Sequence, residues 1–242
     1  MSNPLSVTLQ AAAAETASGA GAAVDIGAGR IAVRLELDVI EVAGTDPELT
    51  LSLETSADGL AGWKPIGAFD VTSAISRAER TFGECQRFVR LAWTITGTDS
   101  PSFTFSVAGE AHQLYVKPSN LGRYSIRPEA IAEIEAHVLW DACLRATDEA
   151  AAALSSQYTM PITAWGEDLR GKCADLATRF AIGHRGFSPD GGDELIVQGA
   201  EAASSWLTKV ARGILTPPGI IDSTPETYEG GAVVVSSPSR GW

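Results

Sequence analysis

The chain has 242 residues, room for one large domain or two small ones. Hydrophobic residues make up 45% and charged residues 20% of it, enough apolar surface for a packed core, which excludes wholesale disorder. Thirty acidic against 18 basic residues give a formal net charge of −12, which excludes a surface that grips nucleic acid or anionic lipid by neutralising phosphates.

The start, Met1-Ser2-Asn3-Pro4, has no basic segment ahead of an apolar one, and no apolar run approaches the roughly 20 residues of a bilayer span. Neither a membrane segment nor a secretion signal is expected. Ala11 to Gly29, low in complexity and rich in Ala and Gly, is expected to be a flexible arm. From Ile31 the pattern sharpens: Ile31, Val33, Leu35, Leu37 and Val39 alternate with Arg34, Glu36 and Asp38, the period of a half-buried strand. The alternation returns at Leu49, Leu51, Leu53, at Val89, Leu91, Trp93, Ile95 and at Phe103, Phe105, Val107. Short strands between Gly, Pro and Asp punctuation predict an antiparallel β-sandwich over residues 1–112, with Trp93 in its core.

After His112 the period becomes helical. A helical region opens at Pro128, a good first helical residue, and runs to about Ser156 with a break near His137. Leu169, Cys173, Leu176 and Phe180 form one helical stripe; Ile196, Ala200, Ala203, Leu207 and Val210 form another, with Trp206 beside it. Gly213 suits the position just past a helix end and Pro217-Pro218 blocks continuation, so that helix should end near Arg212. The predicted fold class is therefore α+β: a β-sandwich (1–112), a small helical domain (113–216) and an extended C-terminal arm (217–242). The join lies near Glu110 to Pro118, and both halves are net acidic. In the arm, Gly231-Ala232-Val233-Val234-Val235-Ser236 is β-prone but isolated, and is expected to pair with a sheet edge, plausibly a neighbouring subunit's. For Trp242 an anchor in a partner's pocket and a free end are equally open readings.

Chemistry-bearing patterns are scarce. Cys85, Cys143 and Cys173 form no CxxC pair and are odd in number, which suggests reduced thiols rather than a disulfide framework or a zinc site. His112, His137 and His184 lack the spacing of metal ligands. The glycines of Gly19 to Gly29 do not make a GxGxxG phosphate loop, and Ser188 to Glu194 lacks the ligand pattern of a calcium loop and reads as a turn into a helix. No GxSxG, HExxH or Walker lysine loop is present. No cofactor, no metal and no enzymatic activity are expected.

Residues 115–242 resemble the head–tail connector (adaptor) proteins of tailed bacteriophages, in particular the small Mu-like type. The resemblance rests on Tyr115-Val116-Lys117-Pro118-Ser119-Asn120-Leu121, on Asp148 to Leu154 running into Gln157-Tyr158-Thr159-Met160-Pro161-Ile162, on Asp168 to Ala177, on Trp206 to Gly213, and on a tail with a Val-rich run, Ser-Pro and Arg240. Family members usually carry Arg-Tyr where this chain has Gln157-Tyr158. The first half is similar to small phage β-domains with a Ser-x-Asp-Gly…Gly-Trp loop, here Ser56 to Trp63, and an Arg-x-x-Arg-x-x-Trp strand, here Arg87 to Trp93.

The resemblance implies a structural protein of the virion neck, made in the host cytoplasm. It would form a homo-oligomeric ring, commonly of twelve copies, that docks on the portal and receives the next neck or tail-completion protein. DNA would pass through the lumen without specific binding. The C-terminal segment, with Val233, Val234, Val235, Arg240 and Trp242, would reach the portal or a neighbouring copy. The competing reading is a glycan- or host-surface-binding or decoration module with a helical oligomerisation domain, which exposed aromatics around Trp63 would favour.

Overall fold

The computed structural model describes residues 4–186 and 193–223. Seven strands form one antiparallel sheet: β1 (Leu5–Glu15), β2 (Gly19–Ala20), β3 (Val24–Asp25), β4 (Ala32–Ser56), β5 (Lys64–Ala68), β6 (Ser76–Gly83) and β7 (Phe88–His112). Among the described residues four α-helices follow, α1 (Pro118–Tyr124), α2 (Ala136–Leu154), α3 (Glu167–Arg185) and α4 (Asp193–Ala211). The α+β class with an N-terminal sheet is what the change of period predicted.

The four alternating runs are not four strands. Leu35 and Leu51 lie in the same strand, β4, and Leu91 and Phe105 both lie in β7. β4 and β7 pair with each other from Ala32↔His112 to Ser56↔Phe88. Register shifts near Val39/Glu41 and between Ala43 and Glu48, with positive φ at Gly44, Asp46, Gly97, Asp99 and Ser100, bend the ladder in its middle. The bend folds the sheet onto itself. Trp93 and Phe105 would lie about 40 Å apart along a straight strand at 3.3 Å per residue, yet their ring centroids are 5.8 Å apart. One folded sheet thus supplies both layers, and Leu35, Leu37, Leu49, Leu51, Leu53 and Leu91 are fully buried between them. β1 and β6 flank one half of the ladder; β2, β3 and β5 flank the other.

Ala11 to Gly29 departs from the expectation of a flexible arm. It supplies the end of β1, β2 and β3, all paired with β7. Ala17 accepts a hydrogen bond from the Trp93 indole at 3.0 Å, Ser18 Oγ accepts one from the Ile95 amide, and Ile26 is fully buried. The small residues have a packing reason: a Cβ on Gly19 would lie 3.1 Å from the Trp93 ring. Low complexity here reflects close approach to a tryptophan.

In the helical part Pro128 opens a single 3-10 turn, and the helix proper begins at Ala136, close to the expected break. Alanines and cysteines on the facing stripes, such as Cys143, Ala146, Ala150, Cys173 and Ala177, are fully buried; their small volume lets α2 and α3 approach closely. Leu169, Cys173 and Leu176 occupy the predicted stripe with Phe180 partly buried, and Ala200, Ala203, Leu207 and Val210 that of α4, with Ile196 half-buried at its start. α4 ends at Ala211: the Gly213 amide donates to Val210 O and the Ile214 amide to Lys209 O, with Gly213 at φ +69°, a Schellman closure.

The sheet and the helices meet along β6 and α2. Trp140 lies directly on the backbone of Gly83, where a Cβ would come within 1.9 Å of the indole. Beside it Arg34 of β4 reaches Asp141 of α2 at 2.8 Å, and Thr81 donates to the same carboxylate at 3.3 Å.

Candidate functional site

The candidate site lies at the root of the C-terminal segment. After Gly213 the chain turns back, and Ile221 forms a two-residue antiparallel bridge with Ala164 in the loop between α2 and α3. The Thr163 and Ala164 amides donate to Ile221 O at 2.8 and 3.2 Å, the Ile221 amide returns a bond to Ala164 O at 3.0 Å, and the Thr159 amide donates to the Asp222 carboxylate at 2.8 Å. Residues up to Ser223 are therefore tied to the loop. Val233, Val234, Val235, Arg240 and Trp242 lie outside the described residues.

The Thr159–Ala164 loop is itself anchored. Trp165 packs edge-on against Tyr115, centroids 5.0 Å apart, and its indole donates to Tyr115 O. The Tyr115 amide donates to the buried Thr147 hydroxyl, which donates to Cys143 O. Gln157 donates from Nε2 to Ala211 O at 3.1 Å, and Ser156 Oγ donates to the same carbonyl at 2.9 Å. Two side chains thus satisfy a carbonyl at the end of α4 that lacks a helical partner.

Between this loop and the sheet lies a cavity of about 360 Å³, bordered by Pro4 ahead of β1, Arg30, His112, Tyr115 and Met160 to Thr163. His112 is buried, and neither ring nitrogen has a hydrogen-bond partner among the described residues; a Glu110 carboxylate oxygen stands 3.6 Å from Nε2. Burial holds its pKa below the ordinary value and outweighs the opposing pull of Asp148 and Glu110, with Arg34 and Arg30 adding to the lowering.

The remaining residues singled out in the sequence take structural positions. His137 is half-buried, 3.1 Å from Glu135, and His184 is exposed. All three thiols are buried, and burial pushes the Cys85 thiol up to about 12 and raises Cys143 and Cys173 as well. In the Ser56–Trp63 loop the Asp58 carboxylate accepts from the Leu60 and Ala61 amides at 2.9 and 3.1 Å, Ser56 Oγ donates to Ala61 O, and Gly59 at φ +74° leaves room for Phe88. The tryptophan closing that loop, Trp63, is half-buried with the Arg90 guanidinium 4.3 Å over its ring, and Arg90 also pairs with Glu54 at 2.7 Å. Arg87 pairs with Asp25. The two arginines of the Arg-x-x-Arg-x-x-Trp strand thus clamp neighbouring strands. Asp193 and Glu194 sit in the first turn of α4, as the acidic turn into a helix predicted; the rest of that cluster lies outside the described residues. Among the described residues no group of three or more His, Cys, Asp or Glu is placed to hold a metal ion, and no helix is long and apolar enough to cross a membrane.

A model of the family described as bacteriophage Mu, Gp36 matches residues 115–236. The chain belongs to the bacteriophage Mu Gp36 family. The matched span opens at Tyr115 and takes in all four helices, the anchored loop and the arm root; the folded sheet lies outside it. No curated protein sequence matches the chain. Among solved structures, the PBSX exported protein XepA is similar at 18% identity with a TM-score of 0.33, over 45% of this chain and 37% of XepA. A protein of the disulfide-linked pili of Bacillus endospore appendages is similar at 18% identity with a TM-score of 0.29, over 46% of this chain and 90% of its own. The chain thus spans little more than a third of XepA.

Proposed function

We propose that this Gp36-family protein is a structural component of the phage neck: a head–tail connector whose copies close into a ring on the portal and offer a platform to the next neck or tail protein. The observation that carries the reading is the family match over the helices, together with a C-terminal segment whose root is pinned to the α2–α3 loop. A homomeric ring needs a head-to-tail interface that closes by rotation. A segment leaving an anchored root can span from one copy to a neighbour or to the portal. The net charge of −12 suits a lumen through which DNA slides without being held.

The competing reading, a glycan- or host-surface-binding module, loses the feature that would favour it, because the Trp63 ring is half-buried beneath Arg90 instead of standing open. The test is a truncation after Ser223. The shortened chain is expected to melt like the full chain, since the root contacts remain, and to be missing from purified particles. Normal incorporation of the truncated chain would contradict the proposed role of the arm.

A further inference from the structure

β1 is an edge strand, at one end of the order β1-β7-β4-β5, and its eleven residues contain no proline and a single charge, Glu15. Its first part, Leu5↔Ala111 to Thr8↔Ala108, pairs with β7 in unbroken register, with Ser6 and Thr8 exposed. No backbone hydrogen bond joins its outer side to another element among the described residues. Proteins usually blunt such an edge with charge, proline or a covering element. The other edges have these protections: β5 is five residues long with Lys64 and Pro65, and β6 is covered by α2 through Trp140 on Gly83.

The chain holds one segment suited to that edge. Ala232 to Ser236 is uncharged and includes three consecutive valines, whose branched side chains favour strands. Its root is near the edge as well, because Pro4 borders the same cavity as the loop that pairs with Ile221. We infer that residues 232–236 of one copy add as an antiparallel strand to the open edge of β1 in a second copy of this chain. The second copy follows from the ring reading, since a head-to-tail ring needs each copy to engage its neighbour, and the antiparallel sense follows the sheet, in which every pairing is antiparallel and antiparallel pairs are the more stable. Eight residues, 224–231, separate Ser223 from the run, a reach of about 27 Å when extended.

The inference rests on the ring reading and specifies how neighbours would be locked. The test mixes full-length chains carrying only Thr8→Cys with chains carrying only Val234→Cys, at high concentration, with a short bismaleimide. The native thiols, buried and with raised pKa values, do not compete. A cross-linked dimer is expected, absent when Lys64→Cys replaces Thr8→Cys and lost when Val233→Asp is added to the Val234→Cys chain. No dimer beyond the Lys64→Cys control, or cross-linking only within a chain bearing both cysteines, would overturn the inference. Failure here with about one copy per portal in particles would leave the ring reading standing. A dimer from a protein missing from the neck would overturn the ring reading instead.

Discussion

Gly83 has no room for a side chain because Trp140 rests on its backbone. Gly83→Ala must push the indole off the sheet, and overpacking of this kind costs about 1–3 kcal/mol. A Cβ on Gly183 in α3 would meet nothing within 4 Å, so Gly183→Ala should stabilise by about 0.5–1 kcal/mol through helix propensity. Denaturant melts of both variants check the pair of opposite signs. Trp93 fills the fold of the sheet against Phe105, and Trp93→Ala should cost about 3–5 kcal/mol; a loss below about 1 kcal/mol would place the ring outside the core. For His112 the direction follows from its lowered pKa. The unfolded chain takes up the proton first, so stability is full above about pH 6.5 and falls as pH drops below it. Urea melts between pH 7 and 5 should show this fall, and His112→Gln should flatten it; an unchanged slope would mean that the imidazole takes up its proton alike in the folded and unfolded chain.

At the scale of elements, the end of α4 depends on what meets Ala211 O. Gln157→Arg, which restores the residue usual in the resembling proteins, brings a full positive charge to the negative end of the helix. It should raise stability by about 0.3–1 kcal/mol in a thermal melt at low salt, with a smaller gain at high salt. The helices were legible in the sequence because their stripes bury one face each, and Gly213 marks the stop of α4 with the hydrogen bonds expected of it. The sheet was legible only in its inward residues. Alternation says which side chains of β4 and β7 turn inward, but not that the Leu35 and Leu51 runs are one strand bent through Gly44 and Asp46. Ala11 to Gly29 misled for a related reason: its composition matches a flexible arm, and its fit against Trp93 depends on a partner 76 residues away.

At the scale of the whole molecule, the family match and the pinned root of the C-terminal segment bear on one claim, that copies of this chain close a ring on the portal. The docking of sheet on helices through Trp140, Gly83, Arg34 and Asp141 was not foreseeable from the sequence, since neither periodicity nor motif links residues so far apart. By this account it carries the sheet as a fixed part of each ring subunit, with the edge of β1 presented to a neighbour. The most direct measurement is quantitative mass spectrometry of purified tailed particles, comparing copies of this chain with copies of the portal. The account predicts a ratio near one; absence from the particle, or many copies per portal, would contradict it.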